Sequence, residues 1–272
     1  MQQTRIMAFG LAAPGLLAPG LAAPDLGFGL TLVTRPPGPI GCRQQGRAGM
    51  AGSAQGEEPA TPELWRQLTA INAAKLLTIV LLLVLAAVIG VQGMRQAIYL
   101  SLHISYCLWW LLEQWLFPER RRQLFSERVG LAGFAGALLF IGVLYSLPGL
   151  LAFLNPVPIS NASVALALGL FSFGSLINAS ADVQKTTAKA MGGGLVSDGI
   201  WRRVRHVNYL GDLLRYLSFA VVAGNGWAYL VPGLVLLIYL QRIGTKEEQM
   251  AAKYPEFKDY QQRSARLLPG IW

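Results

Sequence analysis

The chain contains few charged residues and few cysteines, and each scarcity limits the class of protein to which it can belong. Charged side chains make up 14% of its 272 residues, whereas ordinary soluble domains carry about 25%. The two cysteines, Cys42 and Cys107, lie in a Gly/Arg-rich segment and in an apolar run, so we expect no disulfide between them. No metal-ligand spacing is present. The sequence therefore excludes an ordinary soluble domain and predicts neither a disulfide nor a metal site.

Charge is most completely absent between residues 129 and 181, where no Asp, Glu, Lys or Arg occurs. Together with 53% hydrophobic residues, this run predicts an integral membrane protein. The net charge of +9 comes from basic residues in short loops beside apolar runs, where they set topology or meet lipid headgroups and phosphates. We therefore expect the lipid bilayer as a partner and no nucleic acid.

Residues 1–60 are a low-complexity segment rich in Pro, Gly and Arg. Pro14, Pro19 and Pro24 interrupt any helix there before it is long enough to cross a membrane. The segment lacks the continuous apolar centre and clear cleavage site of a secretory signal. We predict a disordered extension over residues 1–60 and a single membrane domain over residues 61–272.

The apolar runs after residue 60 predict an all-α, polytopic transmembrane bundle of about five or six membrane helices. The runs are 76–91, 97–117, 129–181, which divides at 155–158, and 216–241. An amphipathic helix at the interface, from Pro62 to Lys75, is expected to lead into the first run. The last run is interrupted at 224–226, which fits either a helical hairpin or a pair of spans. The segment from Lys253 to Arg263 predicts a C-terminal interfacial helix.

The distribution of basic residues predicts the orientation of these spans. Basic clusters follow the second span, the fourth span and the last apolar run, whereas the loop at 155–161 carries no charge. Cytoplasmic loops carry an excess of Lys and Arg. We therefore expect the polar residues after the fourth span and the C-terminus to lie on the cytoplasmic side.

Most of the remaining polar chemistry lies between residues 178 and 215, where a bilayer would meet water. Asn178 and Asp182 are four residues apart and share a helix face with Lys185 and Lys189. An amide, a carboxylate and two ammonium groups in a row suit a ligand with ribose hydroxyls at one end and phosphates at the other. An ordinary solvated helix face explains the same spacing.

Several segments together resemble a known family. They are ADVQK (181–185), GLVSDGIW (194–201), RHVNYLGD (205–212) and KYPEFKDYQQRSARLLP (253–269). They resemble the C-terminal domain of steroid 5α-reductases, sterol C14 reductases and the lamin B receptor. Isoprenylcysteine carboxyl methyltransferases share the general plan, but the Asn-x-x-x-Asp spacing and the Gln-Lys pair are reductase-like. Val207 stands where the family usually has proline.

The resemblance implies an NADPH-dependent reductase that delivers hydride to a carbon–carbon double bond of a lipophilic substrate such as a sterol, isoprenoid or enone. The cofactor contacts that it implies are Asn178, Asp182, Gln184, Lys185, Lys189, Arg205, His206, Asn208, Tyr209, Asp212, Tyr260 and Arg263. No motif transfers the catalytic residues. From the polar groups of the second span, we predict Glu113, Tyr106 and His103 as the catalytic set. A helix-capping contact explains Glu113 equally well.

Two other functions fit the same sequence. One is an S-adenosylmethionine-dependent methyltransferase that acts on a lipid or a prenylated thiol. The other is a non-enzymatic membrane protein that retains the fold, which the valine at position 207 keeps open. Titration of the protein with each cofactor distinguishes the three hypotheses.

Overall fold

The protein is seen in a computed structural model that describes residues 66–117, 125 and 127–272, and this part is helical with no named β-strand. The α-helices are α1 (Gln67–Val88), α2 (Met94–Leu116), α3 (Leu131–Ala137), α4 (Leu147–Leu154), α5 (Asn161–Ala190), α6 (Val207–Ala223), α7 (Leu230–Lys253) and α8 (Phe257–Arg263). A π-helix (Leu138–Val143) and a 3₁₀ turn (Leu144–Ser146) join α3 to α4, and further 3₁₀ turns cover Gly199–Trp201 and Gly226–Tyr229. The extension predicted for residues 1–60 lies outside the described residues.

The predicted all-α membrane bundle is confirmed. Within the described residues, four helical stretches are long and apolar enough to cross a membrane: Gln67–Val88, Leu131–Leu154, Asn161–Ala190 and Gly226–Lys253. α2 and α6 pack among them, but α6 has only 17 residues and α2 carries polar side chains along its length. Helices α2 and α6 therefore account for the difference between the four candidate spans and the five or six membrane helices that were predicted.

α6 is the central helix of the bundle, because it packs against α2, α4, α5 and α7. It forms a helical hairpin with α7, which is one of the two arrangements that the interrupted apolar run allowed. The turn begins at Gly224, whose φ of +61° is a conformation that glycine adopts readily. Arg95 of α2 donates to the carbonyl of Val222 near this turn and to the carbonyl of Val157.

Two glycines bring the backbones of α5 and α6 into direct contact. A Cβ on Gly174 would lie 2.6 Å from the carbonyl oxygen of Gly211, and a Cβ on Gly211 would lie 2.7 Å from that of Gly174. Small residues at a helix crossing permit this approach within membranes. The contact places the polar end of α5 beside the start of α6, where Asn178 donates to the carbonyl of Asn208 at 3.1 Å.

α1 runs without a break from Gln67 to Val88, so the helix expected up to Lys75 and the first span form one helix, while residues 62–65 lie outside the described part of the chain. Lys75 is 3% exposed and lies inside the bundle. One turn later, the hydroxyl of Thr78 lies 3.1 Å from the carbonyl oxygen of Ile141 and 3.3 Å from that of Gly142, both in the π-helix. Such π-helical turns free backbone carbonyls and occur often at functional sites. The residues after this turn include Tyr145, which is buried.

Candidate functional site

The polar residues predicted to bind a cofactor surround one loop, residues 194–206, between α5 and α6. Gln184 of α5 donates to the carbonyl of Asp198 at 3.1 Å and to its carboxylate at 3.0 Å. The Gln184 side-chain oxygen also accepts from the Ile200 amide at 3.1 Å. Together with the bond from Asn178 to the Asn208 carbonyl, these contacts use the predicted amide side chains of Asn178 and Gln184 to position the loop against α5.

Trp201 joins this loop to two helices. Its indole N–H donates to the carbonyl of Ala181 at 3.2 Å, and its own carbonyl accepts from the hydroxyl of Tyr260 in α8. The ammonium of Lys185 lies 5.6 Å from the centroid of the Trp201 ring. The predicted residues Lys185 and Tyr260 therefore both contact Trp201, Lys185 at its ring and Tyr260 at its backbone carbonyl.

The other predicted charged residues flank the same loop. Lys189 is half-buried in the last turn of α5, near the hydroxyl of Tyr254, and Asp182 is half-buried one turn before Lys185. The exposed Arg263 of α8 donates to the Ser197 hydroxyl at 3.3 Å. We call the set around this loop the rim cluster: Asn178, Asp182, Gln184, Lys185, Lys189, Arg205, His206, Glu247, Tyr260 and Arg263.

Glu247, in α7, is the residue of the rim cluster that sequence reasoning missed. It is 5% exposed, and its carboxylate accepts from Arg205 at 2.8 Å and from Arg266 at 3.1 Å. Arg205 in turn donates to the carbonyl of Gln261 at 3.0 Å and to the hydroxyl of Ser264 at 3.1 Å. The network therefore fastens the C-terminal segment to α7 and to the start of α6. In the sequence, Glu247 lies among charged residues that look solvated, so only its burial distinguishes it.

The predicted residue His206 lies beside Glu247 at the start of α6. Its Nε2 is 3.5 Å from the Glu247 carboxylate and makes no hydrogen bond among the described residues. Burial lowers the pKa of His206, and the carboxylate of Glu247 opposes this shift. Nearby in the rim, burial raises the pKa of Tyr260 to about 12, against the opposing influence of Arg205 and Arg263. Both side chains are therefore neutral at physiological pH and suited to hydrogen bonding.

A second set of polar side chains lies deeper, between α1, α2, α6 and α7. We call it the interior cluster: Lys75, Tyr106, Tyr145, Asp212, Arg215, Tyr216 and Tyr239. Arg215 pairs with Asp212, which also accepts from the Tyr239 hydroxyl at 3.0 Å. The guanidinium carbon of Arg215 lies 4.3 Å from the ring centroid of Tyr106, and the Tyr106 hydroxyl is 3.0 Å from that of Tyr216.

Stacked rings connect the rim cluster to the interior cluster. The imidazole of His206 stacks on Tyr209 with a centroid separation of 5.5 Å, and Tyr209 stacks on Tyr239 at 4.2 Å. Tyr239 then donates to Asp212. The predicted residues His206, Tyr209 and Asp212 thus belong to one continuous path from the loop into the bundle.

The structure separates the three residues predicted as the catalytic set. Tyr106 belongs to the interior cluster, and His103 lies beside it with a ring-centroid separation of 6.2 Å. The Nδ1 of His103 is 2.9 Å from the Tyr99 hydroxyl, and its ring stacks on Phe219 at 4.4 Å. Glu113 is only half-buried near the end of α2. At 1.5 Å per residue, it lies about 15 Å along the helix axis from His103.

An open cavity of about 430 Å³ adjoins the rim cluster at Arg205. Its other lining residues are 264–266 and 270–272 of the C-terminal segment. The rim therefore has an opening at its C-terminal side.

The residues of the two clusters fit an anionic dinucleotide such as NADPH. Lys185, Lys189 and Arg263 offer cationic groups around the loop, which suit phosphates. One buried donor further along the path, Arg215 Nε, has no hydrogen-bond partner among the described residues. Buried polar atoms of native proteins are usually paired, so such atoms are candidates for ligand contact. No group of three or more potential metal ligands occurs in the described part of the chain.

Comparison with known proteins agrees with the resemblance. The chain is 27% identical over 191 residues to Delta(14)-sterol reductase of Arabidopsis thaliana, which covers 63% of this chain and 52% of that protein. The chain thus spans about half the length of the curated relative that it matches. Residues 63–264 match the family described as "Protein of unknown function (DUF1295)". Because this match covers most of the chain, the protein belongs to the DUF1295 family, within the sterol reductase superfamily.

Proposed function

We propose that the protein is an integral membrane, NADPH-dependent reductase of a carbon–carbon double bond in a lipophilic substrate. The observation that carries the proposal is the path from the rim cluster through Tyr209 to the interior cluster. An elongated ligand that followed this path would contact charged residues at one end and buried tyrosines at the other. The similarity to a sterol reductase supports the same class of reaction.

In this proposal the rim cluster binds the cofactor. Lys185, Lys189 and Arg263 meet its phosphates, while Asn178 and Gln184 hold the loop in place and so position the binding surface. Deeper in the path, His206, Asn208 and Tyr209 face the part of the cofactor that points into the bundle, and Tyr260 and Asp182 border it. When bound, NADPH supplies a hydride for the reaction.

Tyr106 is the proposed proton donor, with Tyr216 as its hydrogen-bond partner. Its hydroxyl lies inside the bundle, and a guanidinium and an ammonium lie against its ring. His103 orients the same part of α2 through its contact with the Tyr106 ring. Glu113 is placed too far from this cluster to share the step.

In this proposal the substrate is lipophilic, and the apolar outer surface of the bundle supports that choice. The outer surfaces of α1 and α5 carry exposed apolar side chains, including Leu83, Val84, Phe173 and Leu176. A substrate dissolved in the bilayer would meet these surfaces first. With the rim on the cytoplasmic side, the cofactor enters from water and the substrate from lipid.

The test is a titration of purified, detergent-solubilised protein with NADPH, NADH and S-adenosylmethionine, followed by thermal unfolding. A ligand present at 100 times its Kd stabilises the folded state by about 2.7 kcal/mol. We expect selective stabilisation by NADPH. Selective stabilisation by S-adenosylmethionine would indicate the methyltransferase instead, and an unchanged Tm with all three would indicate a non-enzymatic member of the fold.

A further inference from the structure

The interior cluster contains a buried ammonium group without an anionic partner. Lys75 of α1 is 3% exposed, and its Nζ lies 4.0 Å from the ring centroid of Tyr106 and 5.6 Å from that of Tyr145. The carboxylate of this cluster, Asp212, is engaged by Arg215 and Tyr239. Within the described part of the chain, the contacts of the Lys75 ammonium are those with the two tyrosine rings.

An ammonium inside a membrane bundle is unfavourable, because burial removes its charge from bulk water. The two tyrosine rings stabilise it in part through cation–π contacts. Arg215, whose guanidinium carbon lies 4.3 Å from the centroid of the same Tyr106 ring, has a buried Nε without a hydrogen-bond partner among the described residues. Two cations and one carboxylate leave the interior cluster with net positive charge, which is suited to a ligand group that is or becomes negative.

The positive charge of the interior cluster distinguishes between the two orders in which a proton and a hydride can add to a double bond. If a proton adds first, the substrate becomes a carbocation, which two adjacent cations would destabilise. If hydride adds first, the substrate must carry a conjugated carbonyl group, and negative charge develops on its oxygen. A fixed cation beside that oxygen favours addition of hydride first. A positive group placed where negative charge develops stabilises the transition state and so lowers the barrier.

We propose that Lys75 binds the carbonyl oxygen of an α,β-unsaturated carbonyl substrate and stabilises the enolate formed during its reduction. This inference rests on the proposed reductase function. The β carbon accepts a hydride from the reduced nicotinamide, which is thereby oxidised by two electrons. The π pair of the C=C bond shifts to join the α carbon to the carbonyl carbon, and the carbonyl π pair moves to oxygen. The Lys75 ammonium donates to that oxygen, the Tyr106 hydroxyl gives its proton to the α carbon, and water reprotonates Tyr106.

The binding step is tested without any cofactor by an alkyl-substituted nitrophenol, whose coloured phenolate resembles an enolate. The probe is bound to the wild type, to Lys75→Met and to Lys258→Met, an exposed lysine of α8 that serves as the matched control. We expect the ratio of bound phenolate to phenol at a given pH to be about tenfold higher in the wild type than in Lys75→Met, which is one unit of the probe's pKa. Lys258→Met should keep the wild-type ratio.

Two further measurements distinguish the loss of the ammonium charge from damage to the fold. Lys75→Met removes an unpaired buried charge and should fold with an equal or higher Tm, while Lys75→Arg should retain part of the phenolate preference. An equal phenolate ratio in the wild type and Lys75→Met, or no binding of the probe by the wild type, would overturn the assignment.

Substrate class gives the last arm of the test. With NADPH, the wild type should reduce an unsaturated ketone and leave a conjugated diene of the same chain length unreduced, whereas reduction of the diene alone would contradict the role of Lys75. NADPH should stabilise Lys75→Met as much as the wild type. Failure of the reductase function, seen as no stabilisation by NADPH, is therefore distinguishable from failure of this inference.

Discussion

Glu247 shows how one residue organises the rim cluster. Its carboxylate joins Arg205 and His206, which are neighbours before α6, to Arg266 of the C-terminal segment. Breaking a buried ion pair by removing one partner costs about 3–5 kcal/mol, because the remaining charge stays buried without compensation. We therefore expect Glu247→Gln to lower the free energy of unfolding by several kcal/mol, measured by thermal or denaturant unfolding in detergent.

The adjacent Glu248 offers the matched control. It is exposed, and Glu248→Gln makes the same chemical change without removing a buried partner. Surface substitutions usually change stability by less than about 0.5 kcal/mol. Equal Tm values for the two variants would contradict the structural role of Glu247.

His206 makes stability depend on pH in a defined direction. In the unfolded chain a histidine has a pKa of about 6.5, and burial lowers the pKa of His206 in the folded protein. Between the two values the unfolded state binds more protons, so stability rises with pH. The contribution is complete above about pH 6.5 and is lost as the pH falls below it, by up to about 1.4 kcal/mol per pH unit.

The corresponding measurement compares the Tm of the wild type and of His206→Asn at pH 8 and at pH 5.5. Acidification should destabilise the wild type more than the variant. The same loss of Tm in both proteins would show that His206 does not titrate on unfolding.

Single residues differ in how well the sequence predicted them. Asn178 and Gln184 were selected by spacing and by resemblance, and both lie beside the loop between α5 and α6, where their side chains hold the backbone in position. Lys75 and Glu247 were not selected, because a lysine before an apolar run and a glutamate in a charged tail both look solvated. Their burial depends on which helices pack against them, and that information is absent from local sequence.

At the scale of helices, the contact between α5 and α6 should be sensitive to a single methyl group. A Cβ at position 211 would approach the Gly174 carbonyl oxygen to 2.7 Å, so Gly211→Ala requires the two backbones to separate. Overpacking of this kind typically costs about 1–3 kcal/mol. We expect a lower Tm for Gly211→Ala and weaker NADPH binding, because the move displaces Asn178 from the loop.

Gly169 on α5 is the control for this substitution. No atom lies within 4 Å of the position that its Cβ would take. Gly169→Ala should leave Tm unchanged or raise it, since alanine is favoured over glycine in a helix by about 1 kcal/mol. If Gly211→Ala were as stable as Gly169→Ala, the close helix contact would be wrong.

The helices were predicted well from apolar runs, and the divisions at 155–158 and at 224–226 were confirmed. The π-helix at Leu138–Val143 was not predicted, because its residues are as apolar as those of any span. What distinguishes it is a tertiary contact, the Thr78 hydroxyl of α1 near its carbonyls. Irregular backbone that depends on a distant side chain leaves no periodic signal.

For the molecule as a whole, the account requires one ligand to bridge the water-facing rim and the buried interior cluster. Lys185 and Lys189 lie at the outer end of that path, where a 2′-phosphate would bind. The double variant Lys185→Ala, Lys189→Ala should weaken binding of NADPH by about tenfold or more and binding of NADH by less, because only NADPH carries that phosphate. Isothermal titration or thermal shift measures the difference.

The exposed Lys258 of α8 provides the control, and Lys258→Ala should bind both nucleotides as the wild type does. An equal loss of NADPH and NADH affinity in the double variant would show that these lysines do not bind the 2′-phosphate. Such a result would still agree with a contact between these lysines and the pyrophosphate that both nucleotides carry.

The central claim is that the path joins a nucleotide at the rim to a lipophilic substrate at Tyr106 and Lys75. Its most direct test uses NADPH with deuterium on the transferable position of its nicotinamide ring, a long-chain unsaturated ketone and the purified protein in lipid. Mass spectrometry of the lipid should find one deuterium on the β carbon of a saturated product. Absence of deuterium from that carbon, with both ligands shown to be bound, would contradict the account.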